Sequence, residues 1–156
     1  MKKLNRLPFN KPMYPEIVEP NTSTLTEGQK EGFKAMWAYL CDVNTPYNYF
    51  LLEGWAGTGK TYLISLFVHY ALYKRKVNLV GMAAFIGKAV NVLRRSVNFE
   101  SERCIFATLH SLFSLRPEID PQTGKQVFKQ KVEDTQPVAD SLDLLVIDES
   151  SLLNKE

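Results

Sequence analysis

Eight consecutive residues, Gly54-Trp55-Ala56-Gly57-Thr58-Gly59-Lys60-Thr61, constrain this chain more than any other feature. They fit G-x-x-x-x-G-K-[ST], a pattern that demands a strand before it and a helix after it. The flanks comply. Tyr49, Phe50, Leu51 and Leu52 form an apolar run that predicts a buried strand. Leu63, Ile64, Phe67, Val68, Ala71 and Leu72 then recur at helical spacing. The glycines let the backbone turn tightly, so that its N–H groups face an anion, and the helix adds the positive end of its dipole. An ordinary glycine turn between a strand and a helix has the same local shape, but two correct flanks favour a phosphate loop. Gly54, Gly57, Thr58 and Gly59 would cradle the phosphates of a nucleoside triphosphate, Lys60 would reach the terminal ones, and the Thr61 hydroxyl would hold Mg²⁺.

The chain has 156 residues, enough for about one domain with a real core. Its 45% hydrophobic and 23% charged residues are near globular averages. A net charge of +2 is too small to announce a nucleic-acid partner, so any basic surface must come from local clustering. Cys41 and Cys104 lie far apart and make no C-x-x-C pair, which argues against a disulfide framework or a zinc site and fits a reducing cytoplasm. No apolar run approaches the length of a membrane span, and prolines follow Lys2, Lys3 and Arg6 where a signal peptide needs its apolar core. A cytoplasmic protein without a membrane partner is expected.

Residues 1–23 carry Pro8, Pro12, Pro15 and Pro20 with little periodicity and are expected to form an extended lead-in or linker. A first helix is predicted from residues 24–26 onward, with Phe33, Met36, Trp37 and Leu40 on one stripe. After the loop helix come a strand over 77–82, a helix marked by Ile86, Ala89, Val90, Leu93 and Val97, and a strand over 104–107. A short helix begins at Leu109, and residues 117–132 read as a β-hairpin turning on Asp120-Pro121-Gln122-Thr123-Gly124. Residues 142–147 form a last apolar strand. Strands alternating with helices predict an α/β fold with a mainly parallel sheet.

That last strand, Leu144-Leu145-Val146-Ile147, ends in Asp148-Glu149 and has the form of a Walker B strand, apolar on both faces. Ligands of open α/β sheets sit at this carboxyl end. Asp148 would hold Mg²⁺ beside Thr61, and Glu149 would orient and deprotonate the attacking water. Acids that cap a following helix would look the same in isolation; the loop upstream favours catalysis. Gln29 has two readings. Thr26-Glu27-Gly28-Gln29 is a well-formed capping box, with Thr at the N-cap and Gln at N3. A Gln amide also both donates and accepts, as reading adenine at N6 and N7 requires.

In order, Leu25-Thr26-Glu27-Gly28-Gln29, the phosphate loop, Gly87-Lys88-Ala89, Thr108-Leu109-His110-Ser111 and Ile147-Asp148-Glu149-Ser150-Ser151 resemble the superfamily 1B DNA helicases, most of all the RecD and Dda group that includes phage enzymes. The resemblance covers residues 25–153. The loop and the Asp-Glu-Ser-Ser segment are specific in combination, whereas the Gly-Lys-Ala and Thr-Leu-His pieces are weak alone. It implies a P-loop NTPase of RecA-like fold that moves along single-stranded DNA at the expense of ATP. It also implies that Gln29 reads adenine, and that Phe85, Lys88, Thr108 and His110 contact the strand. Three of these have plainer uses too: core for Phe85, a solvated charge for Lys88, an N-cap for Thr108. Related chains usually carry Pro-Thr before Gly-Lys; here Phe85-Ile86 removes that hydroxyl and puts one phosphate contact in doubt.

The same resemblance leads one to expect further strands and a second RecA-like domain after Glu156. Residues 24–156 would then be a first motor domain cut short after Walker B, with the hairpin inserted. Its partner would lie in a longer chain or a separate polypeptide. The competing expectations are a nucleotide- or DNA-binding accessory module without turnover, or another P-loop ATPase such as a loader or primase-associated protein.

Overall fold

A computed structural model of the chain describes residues 17–97, 99, 101–130 and 136–149. Helix α1 spans Glu27–Cys41. It starts where Thr26 supplies a cap: the Gln29 N–H donates to Thr26 Oγ1 at 3.4 Å, and the Thr26 N–H donates to Gln29 Oε1 at 3.1 Å. The capping box is therefore closed from both sides.

Helix α2, Lys60–Tyr73, carries no charged side chain after its first residue and is apolar on nearly every side. A helix of that kind belongs inside. Leu63, Phe67, Val68, Ala71 and Leu72 are buried. Val68 and Leu72 are wholly so, and each contributes about 1.5–3 kcal/mol relative to exposure.

Strands β1 (Val80–Ala84), β2 (Cys104–Thr108) and β5 (Leu144–Ile147) make a parallel sheet in the order β2-β1-β5. Val80 sits opposite Cys104 on one side and Leu144 on the other. Central β1 is buried along its whole length, as a parallel strand covered on both faces must be. Its alternate residues serve different cores. Val80 and Met82 join α1 and α2 and Leu93 of helix α3 (Gly87–Ser96). Ala83 joins Leu109 and Leu112 of the short helix α4 (Leu109–Leu112). Gly81 faces that second side, where a Cβ would lie 2.5 Å from Leu142 and 3.2 Å from Leu145, so both leucines pack directly on its backbone. Strands β3 (Leu115–Ile119) and β4 (Gln126–Gln130) pair antiparallel as a separate hairpin, with Pro117 opposite Phe128. A 3₁₀ turn, Val138–Ser141, leads into β5.

Two expectations need correction. Residues 49–52 are not a strand, and Tyr49, Phe50 and Leu51 are exposed. An extended run becomes a strand only when a neighbour takes its backbone bonds, and neither described sheet includes this segment. Strand β5 is half-buried rather than covered on both faces. Residues 17–22 have no regular secondary structure and lie against the core: Ile17 packs on it, Pro20 is buried, and His69 of α2 meets the Val18 backbone. Glu19 also pairs with Lys74 at 3.6 Å. Residues 1–16 and the expected Ser150-Ser151 lie outside the described residues.

Candidate nucleotide-binding site

The loop between residue 53 and α2 holds two glycines that no other residue would replace easily. Gly57 has φ +78° and Gly59 has φ +80°, both in the left-handed region. Gly59 is also the N-cap of α2 and offers no side chain, so the first turn of α2 receives no side-chain cap. The α1 and α4 helices are capped by Thr26 and Thr108. The first N–H groups of α2 are thus left for an outside acceptor, at the positive end of a 14-residue helix. These features fit a bound phosphate chain.

The rest of the loop is held by its own side chains. Trp55 O accepts from the Thr58 N–H at 3.4 Å and from Thr58 Oγ1 at 2.9 Å. The Lys60 ammonium donates to Gly54 O at 2.7 Å and to Trp55 O at 2.9 Å. Neutral carbonyls hold it there, and a phosphate oxygen makes a stronger, charge-assisted partner. Thr61 follows in the first turn, half-buried. The Trp55 side chain is 88% exposed at the loop. Gln29 reaches the same loop across 29 residues of sequence, its Nε2 donating to Thr58 O at 3.1 Å. The capping use of Gln29 and a contact to the loop therefore coexist.

At the carboxyl ends of the strands, Asp148 directly follows β5 and its N–H donates to Ala83 O of β1 at 2.9 Å. Its carboxylate accepts from the Glu149 N–H at 3.0 Å. Glu149 has φ +54° and is exposed. A non-glycine residue held there carries some strain, as reactive positions often do.

The other expected residues leave the same edge of the sheet. Phe85 directly follows β1, and Thr108 ends β2 one strand away, opposite Ala84. Phe85 is half-buried and meets His110 edge-on at 6.4 Å. Thr108 has the plainer role, its Oγ1 accepting from the Ser111 N–H at 3.2 Å. Lys88 is exposed in the first turn of α3, whose N-cap, Ile86, provides no side-chain bond. Phe128 was not legible in the sequence. Its ring stacks on His110 at 4.1 Å and joins the hairpin to α4. Only its place in an alternating strand hinted at it.

A family model described as "AAA domain" matches residues 41–156, from the last residue of α1 through β5 and beyond it. The chain belongs to that family. It is therefore a P-loop nucleotide-binding domain, and the mixed α/β fold with its parallel sheet agrees with that family. It is also similar to "Uncharacterized protein R530" of Acanthamoeba polyphaga mimivirus, 34% identical over 115 residues. That match covers 69% of this chain and 23% of the viral protein. The chain thus spans about a quarter of its relative's length. Among the described residues, no helix is long and apolar enough to cross a membrane.

Proposed function

We propose that this chain is the ATP-binding portion of a superfamily 1B DNA helicase of the RecD/Dda kind, working on single-stranded DNA. The supporting observation is positional: Asp148, Phe85, Thr108 and His110 all emerge at the carboxyl edge of one parallel sheet, where α/β folds bind ligands. In this reading ATP brings the transferable phosphoryl group and its terminal oxygens, and a bound Mg²⁺ would supply charge neutralisation there. Lys60 leaves the Gly54 and Trp55 carbonyls to bind those oxygens. Thr61 and Asp148 are the residues that would hold the ion, which prefers hard oxygen donors. Glu149 orients a water and takes its proton. Lys88 pairs with a DNA phosphate at the open start of α3, while Phe85, His110 and the newly placed Phe128 offer ring faces to the bases. A second RecA-like domain would complete the motor.

Fluorescence anisotropy with a thymidine oligonucleotide tests the strand assignment. Wild type is expected to bind single strands in preference to duplex, with Lys88→Ala and His110→Ala each weaker. Equal binding by wild type and both variants would overturn it.

A further inference from the structure

We propose that Gln29 is a positioning residue of the phosphate loop, shaping the cradle for the triphosphate whatever base is attached to it. The inference rests on reading the loop as a triphosphate cradle, and it departs from a role for Gln29 confined to adenine.

The amide of Gln29 is already committed at both ends. Its oxygen accepts from the Thr26 N–H at 3.1 Å, and its nitrogen donates to Thr58 O at 3.1 Å. A carboxamide has two donor hydrogens and two acceptor lone pairs, so one of each remains. That is enough for the two-bond edge of an adenine, but the bond to Thr58 exists without any base. The bond also has a directional consequence. The peptide unit is planar and trans, so its C=O and N–H point opposite ways. Holding Thr58 O towards α1 turns the Gly59 N–H away from α1, and fixes one donor of the loop before an anion arrives. The fit is close: a Cβ on Gly59 would lie 2.7 Å from Gln29 Nε2. The left-handed φ of Gly59, +80°, is the conformation this packing accompanies. A donor set fixed in advance binds more tightly because less ordering remains to be done on binding.

Inorganic tripolyphosphate separates the two roles, since it has phosphates and no base. Its affinity and that of ATP are measured by calorimetry on wild type, Gln29→Ala and Thr26→Ala. Gln29→Ala is expected to weaken tripolyphosphate about threefold to tenfold, the worth of one ordinary hydrogen bond. Thr26→Ala removes the helix cap but leaves the amide; it is expected to lower the melting temperature and leave tripolyphosphate affinity unchanged. Gln29→Glu keeps an acceptor for the Thr26 N–H but has no donor for Thr58. It is expected to melt like wild type and still lose affinity at high salt, where its charge is screened. Unchanged tripolyphosphate affinity in Gln29→Ala, with ATP alone weakened, would overturn the proposal and leave the loop reading intact. Failure of wild type to bind either ligand would overturn the loop reading and this proposal with it.

Discussion

Lys60 shows how much of the site is prepared by single residues. Its ammonium rests on two carbonyls of its own loop, at 2.7 and 2.9 Å, so binding exchanges neutral partners for charged ones rather than ordering a free side chain. Two other residues make separate predictions. Burial pushes the Cys104 thiol up to about 11, so at pH 8 only about a thousandth of it is the reactive thiolate. Iodoacetamide is expected to label Cys104 far more slowly in the native chain than in urea; equal rates would contradict its burial. Burial also holds the His69 imidazole below its ordinary 6.5, against the opposing pull of its bond to the Val18 backbone. The unfolded chain then takes up the proton first as pH falls. The contribution of His69 is whole above about pH 6.5 and is lost as pH drops through the lower folded value. His69→Gln is therefore expected to flatten the fall in melting temperature over that acid range. An identical fall in both proteins would count against the packing of the lead-in on α2.

Elements differ in how far the sequence discloses them. Thr26 and Gln29 announce the start of α1 because a capping box is local, and three residues suffice to build it. Thr26→Ala is expected to cost about 1 kcal/mol of stability in urea unfolding. A buried helix such as α2 shows itself through its unbroken apolar content; Leu72→Ala is expected to cost about 2–5 kcal/mol in the same assay. Residues 49–52 show the opposite case. Their apolar side chains suit a strand, but strand identity depends on a neighbour whose presence no local pattern records. The stack of Phe128 on His110 joins residues from two elements, and nothing near either residue encodes it. In the hairpin, Lys129 meets Glu118 at 3.0 Å, an exposed pair worth about 0–1 kcal/mol that a phosphate would readily displace. The neighbouring Lys131 lies outside the described residues. Neutralising Lys125 and Lys129 together is expected to flatten the salt dependence of single-strand binding by about one phosphate contact per lysine. An unaltered slope would leave the hairpin charges to solvent.

At the scale of the whole molecule, the parallel sheet brings Asp148, Phe85 and Thr108 to one edge, and the buried helix α2 begins at a glycine loop that gives it no side-chain cap. The α/β class and the loop were legible because each is written in contiguous residues. The tie from Gln29 to the loop was not, since it closes over 29 positions. The central claim is that the loop of residues 54–61 binds a nucleoside triphosphate, with Lys60 as its mobile charge. Titration calorimetry of Mg-ATP into wild type and Lys60→Ala tests it most directly. Saturable binding by wild type and its loss in Lys60→Ala is the predicted result; equal affinity in the two proteins would contradict the account.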